Sequence, residues 1–90
     1  MEDELNRLEY TILETLYASD STDRYHGMTI GEIMSDNDGL LGTRMTVYKK
    51  MKKLTQNGYL AKGIIDNHAD TFYVLDKSIQ LIKDRGGKKA

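Results

Sequence analysis

Apolar residues recur along the chain with two different periods, and the change of period divides it. Leu5, Leu8, Ile12 and Leu16 fall at helical spacing, with Asp3 and Glu4 placed to meet the positive end of a first helix. A second stripe of Tyr10, Leu13 and Tyr17 runs beside the first, which gives this helix more apolar surface than a single core contact requires. Ser19-Asp20-Ser21-Thr22-Asp23 interrupts the pattern as a loop. Thr29-Ile30-Gly31-Glu32 then has the spacing of a capping box, in which the hydroxyl and the carboxylate satisfy the first amides of a helix reciprocally. Ile30, Ile33 and Met34 form the buried side of this second helix, which should stop near Ser35-Asp36-Asn37-Asp38-Gly39. Thr43 can cap a third helix with Val47, Met51 and Leu54 as its inner face. Asn57-Gly58 ends that helix, since glycine readily takes the left-handed conformation at a C-terminus.

Beyond Gly58 the chain turns to β-branched and aromatic residues. Tyr59 to Ile65 and Thr71 to Leu75 predict two strands, with Asp66-Asn67-His68-Ala69-Asp70 as a five-residue hairpin tip between them. Asp76 is placed to cap a last short helix presenting Ile79 and Ile82. Residues 86–90 read as a flexible tail after a single domain spanning 1–85. The order helix, helix, helix, hairpin, helix predicts an α+β fold.

Composition narrows the chemistry. The 90 residues contain 39% hydrophobic and 30% charged side chains, enough for one modest core and little room for a deep cleft. No cysteine is present, which excludes disulfides, thiolate zinc sites and cysteine nucleophiles. His26 and His68 lack ligand or nucleophile spacing, and Asp36-Asn37-Asp38-Gly39 fails as a calcium loop because Met34 falls at the first ligand position. No glycine motif that cradles phosphate occurs. The expectation is a protein without enzymatic activity, metal or cofactor. The opening Met-Glu-Asp-Glu is unlike a signal peptide and no apolar run is long enough for a membrane helix, so a cytoplasmic location is expected.

Charge adds direction. The net charge is −1, yet residues 1–38 carry Glu2, Asp3, Glu4, Glu9, Glu14, Asp20, Asp23, Glu32, Asp36 and Asp38 against only Arg7 and Arg24. Residues 39–65 hold no acid and contain Arg44, Lys49, Lys50, Lys52, Lys53 and Lys62. Lysines on a helix commonly mark a solvated face, but such faces usually mix both signs. An acid-free basic segment in a neutral chain points to a localised contact with a polyanion.

The stretch TRMTVYKKMKKLTQNGYL from Thr43 to Leu60, followed by a hairpin ending in Phe72-Tyr73-Val74-Leu75, resembles the winged helix-turn-helix of PadR- and MarR-type transcription regulators. Thr29-Ile30-Gly31-Glu32-Ile33 is similar to the usual opening of their second helix. The resemblance implies a three-helix core with a β-hairpin wing and a short C-terminal helix, and a third helix that enters the major groove of double-stranded DNA. With Val47 at the core, Met45, Lys49, Lys52 and Gln56 point directly outward at 100° per residue. Thr43 and Arg44 open the recognition helix, where side chains reach base edges. Arg44 can donate twice to guanine, and Met45 and Thr46 can touch thymine methyl groups or phosphates. Lys49, Lys50, Lys53 and Lys62 fit phosphates, Tyr48 would face the DNA backbone, and His68 could donate to a phosphate. The wing departs from the family habit of a basic tip, since Asp66 and Asp70 flank Asn67 and His68.

Two functions follow. The first is a sequence-specific DNA-binding regulator of transcription, a repressor by family habit, dimerising through Tyr10, Leu13 and Tyr17 or through the C-terminal helix. The same stripe could instead pack on the last helix of its own chain. The alternative function is a winged-helix module that docks protein through its acidic N-terminal half.

Overall fold

The computed structural model describes residues 5–86. Asp3, Glu4 and the tail beyond Gly86 lie outside the described residues. The elements run α1 (Arg7–Ala18), α2 (Ile30–Asp36), α3 (Arg44–Gln56), β1 (Leu60–Asp66), β2 (Ala69–Val74) and α4 (Asp76–Asp84). This is the α+β winged-helix arrangement that the sequence predicts.

Each of the first three helices starts at a side-chain cap. Asn6 accepts from the Glu9 amide at 2.9 Å, and Glu9 Oε1 accepts from the Asn6 amide at 3.0 Å, forming a complete capping box. Leu5 therefore lies just outside α1, partly buried against the core, and does not begin the helix. Thr29 and Glu32 form the second capping box as the spacing predicts, and Thr43 accepts from the Thr46 amide at 3.2 Å. Gly58, at φ +83°, turns the chain out of α3, and the Tyr59 amide donates back to the Leu54 carbonyl at 3.0 Å. The fourth helix corrects an expectation. Its N-cap is Leu75 with no side-chain cap bond, and Asp76 is the first helical residue, favourable to the helix dipole but not a cap.

One core joins all the elements. Ile12, Leu13 and Leu16 of α1 meet Ile33 of α2, Val47, Met51 and Leu54 of α3, Leu60, Phe72 and Val74 of the hairpin, and Ile82 of α4. Each such side chain contributes about 1.5–3 kcal/mol on leaving water. Leu13, the middle residue of the second α1 stripe, is fully buried. Tyr10 and Tyr17 pack partly buried against the core, and the Arg85 guanidinium stacks on Tyr10 at 4.7 Å. Leu13 is thus unavailable as a dimer contact, whereas Tyr10 and Tyr17 keep part of their surface exposed. Ser78, buried on α4, donates to the Tyr59 carbonyl at 2.6 Å and ties the last helix to the base of the hairpin.

The strands pair antiparallel, Leu60 with Val74 and Lys62 with Phe72, then Ile65 with Asp70 and Asp66 with Ala69. Gly63 and Ile64 stand opposite Thr71 alone, which is a β-bulge. Gly63 is needed there, because a Cβ would sit 2.5 Å from the Arg24 carbonyl oxygen. The Ile64 amide donates to that carbonyl at 2.9 Å, and Met28 exchanges two backbone bonds with Phe72, at 2.9 and 3.0 Å. The α1–α2 connection thus grips the root of the wing. At the far end only Asn67 and His68 form the turn, both with positive φ (53° and 68°). Asp66, Ala69 and Asp70 belong to the strands, so the tip is a two-residue turn and not the five-residue loop expected.

Candidate nucleic-acid interface

Because Val47, Met51 and Leu54 face the core, the rest of α3 is turned outward. Arg44, Met45, Tyr48, Lys49, Lys52 and Gln56 are all exposed, Met45 by 61% and Tyr48 by 48%. The Arg44 guanidinium lies beside the start of α2, 3.7 Å from where a Cβ on Gly31 would stand. Between the N-terminal half of α3 and the wing lies an open cleft of about 510 Å³, lined by Arg44, Met45, Tyr48, His68 and Asp70 over the buried ring of Phe72. A smaller cleft of about 230 Å³ continues along Tyr48, Lys52, Gln56 and Lys62. The two halves of the face differ in character, Met45 and Tyr48 being apolar and Lys49 and Lys52 cationic.

Three of the lysines expected at phosphates are committed within the chain. Lys53 and Lys50 lie 3.3 and 3.5 Å from Glu9 Oε2, on the flank of α3 that faces α1. Lys62 pairs with Asp70 at 3.3 Å across the wing, where both side chains are half exposed. Burial pushes the Glu9 carboxyl up, but the Asn6 amide and the ammonium groups of Lys53 and Lys50 outweigh it and hold it below its ordinary value. Glu9 is therefore an anion at neutral pH. Lys50, Lys53 and Lys62 thus each have a carboxylate partner that a phosphate would have to displace or share.

Thr46 stands exposed at the edge of the outward face of α3, where its hydroxyl accepts from the Thr43 hydroxyl at 3.1 Å and its amide donates to the same group. Lys52 belongs to the face, about 140° from Val47 as the helical period places it. His68 sits at the exposed turn and lines the cleft with Tyr48 and Arg44. The acids of the N-terminal half are less available than their number suggests. Glu9 and Glu32 serve capping boxes, and Asp23 contacts His26 Nδ1 at 2.8 Å. Among the described residues no cluster of potential metal ligands occurs, and no helix is long and apolar enough to cross a membrane.

No family model matches the chain, and no curated protein does. Solved structures that share its fold include the DNA-binding TubR fragment from Clostridium botulinum. The two chains agree with a TM-score of 0.71 at 23% identity, over 92% of this chain and 99% of that one. SSV1 F-93 agrees with a TM-score of 0.64 at 18% identity, over 96% of this chain and 93% of that one. At these identities the likeness establishes the fold, and the resemblance to PadR and MarR types likewise stands at the level of the winged helix.

Proposed function

We propose that this chain binds double-stranded DNA through the outer face of α3, in the major groove, and regulates transcription from the cytoplasm as a repressor. The observation that carries this reading is the acid-free outer face of α3. There Arg44, Lys49 and Lys52 stand exposed and form no ion pair among the described residues, while every other cation of the segment is held by a carboxylate. The apolar half formed by Met45 and Tyr48 suits the methyl-bearing edges of a major groove, and Arg44 in the first turn suits guanine. The TubR fragment, described as DNA-binding, has the same fold over nearly its whole length.

Fluorescence anisotropy of a labelled duplex across a salt series tests the proposal. Two phosphate contacts per protomer, from Lys49 and Lys52, give a slope of log K against log salt of about −2, near −0.9 per contact. Counting all five lysines of the segment would instead give about −4.5. Reversal of charge in Lys49→Glu/Lys52→Glu should abolish binding at moderate salt. A wild-type affinity that ignores salt, or no binding to any duplex at 20 mM salt, would defeat the proposal.

A further inference from the structure

Glu9 is 1% exposed, and its two oxygens do different things. Oε1 completes the α1 cap by accepting from the Asn6 amide. Oε2 takes no part in the cap and lies 3.3 and 3.5 Å from the ammonium groups of Lys53 and Lys50. A cap needs one acceptor, and glutamine supplies it as well as glutamate. The negative charge is thus surplus to starting α1, and its consequence falls on α3.

We infer that Glu9 is a positioning residue for the DNA interface, holding Lys50 and Lys53 against α1 so that a duplex meets α3 through Arg44, Lys49 and Lys52 alone. This rests on the reading of α3 as the DNA-binding element. At 100° per residue Lys53 lies about 60° from the centre of the outer face, and Lys50 about 120°. Released from Glu9, the long side chain of Lys53 can swing to a phosphate, whereas Lys50 stays turned towards the core. Glu9 therefore limits the sequence-independent part of the affinity, which grows with every neutralised phosphate. Binding is left to depend more on the side chains that meet base edges.

Glu9→Gln keeps the cap and removes the charge. Its duplex binding should tighten about tenfold at 50 mM salt, with a slope steeper by about 0.9. Lys53→Gln in the wild-type background should leave the slope unchanged, while Glu9→Gln/Lys53→Gln should return it to the wild-type value. A purely structural role for Glu9 would lower the melting temperature without moving the slope. An unchanged slope in a folded Glu9→Gln protein overturns the inference and leaves the DNA reading standing. So does a flattened slope in Lys53→Gln alone, which decides the matter even if Glu9→Gln does not fold. Absence of wild-type duplex binding removes both.

Discussion

Leu54→Ala tests the packing that aims α3. Leu54 is 1% exposed at the C-terminal end of the inner face, one turn beyond Met51 and two beyond Val47, both fully buried. The substitution removes three carbons from the core, about 2–2.5 kcal/mol at roughly 0.8 kcal/mol per buried methylene. Incomplete collapse of the site adds a cavity contribution, which brings the loss to ~2–5 kcal/mol. A domain of this length has ~5–13 kcal/mol in total, so the variant should remain folded when cold and melt about 10–25 °C earlier. Urea unfolding followed by circular dichroism reads the loss directly, and an unchanged m-value shows that the same surface is exposed. Lys52→Ala, on the opposite side of the helix, should change stability by no more than ~0.5 kcal/mol. At low temperature the folded fraction of Leu54→Ala should bind duplex as the wild type does, since Leu54 is remote from the outer face. A loss below half a kilocalorie would mean that α3 is rotated from the orientation described, and the assignment of its outer face would fall with it.

The remaining expectations concern the charges. Arg44→Ala should flatten base preference at one position of the half-site by ~1–3 kcal/mol, read by competition between duplex variants; uniform weakening with preference retained would make Arg44 a phosphate clamp. Asp70→Asn should strengthen duplex binding more than Asp66→Asn, because it both removes a repulsive charge and frees Lys62, and more so at low salt. Equal effects would show that the Lys62 pair does not persist in solution. The ionised Glu9 carboxylate favours the folded chain, so its stabilisation is complete above its ordinary value of 4.5 and is lost as pH falls through the depressed folded value. Asp23, lowered by its hydrogen bond from His26 and by the Tyr25 amide, loses its own contribution in the same direction. Thermal melts between pH 6 and 3 should therefore fall less steeply for Glu9→Gln than for the wild type, and parallel curves would show that Glu9 is not held as an anion.

Local chemistry was legible in the sequence where its partners lie within one turn. The Thr29–Glu32 box, the Thr43 cap and the Gly58 stop each follow from residues three or four apart, and the core face of α3 follows from the helical period. Asn6-Arg7-Leu8-Glu9 has the same box spacing, but the apolar rhythm through Leu5 draws the predicted start of α1 too early. The two-residue wing turn was hidden because Asn67-His68 lacks the glycine that usually marks positive φ, although both residue types tolerate it better than most. Least legible was the state of the lysines. Lys50 and Lys53 meet Glu9 across 41 and 44 positions of chain, and no periodicity within α3 can reveal a partner on α1. The outward direction of Lys49 and Lys52 was readable; that, of the cations between residues 39 and 65, they and Arg44 are the ones without a carboxylate partner was not.

The grip of the α1–α2 connection on the root of the wing has a consequence for exchange and assembly. The bonds from Ile64 to Arg24 and between Met28 and Phe72 join segments about forty positions apart, so they form only after a long loop has closed. Once made, they tie the root amides to the same cooperative unit as the core, and deuterium should enter them only through global opening. The Asn67 and His68 amides, at an exposed turn beyond the bulge, have no such anchor and should exchange through local fraying. The wing is thus slow at its base and quick at its end. A surface that approaches it meets a tip that can adjust on a fast timescale without disturbing the bulge, the Phe72 ring or the helices behind them.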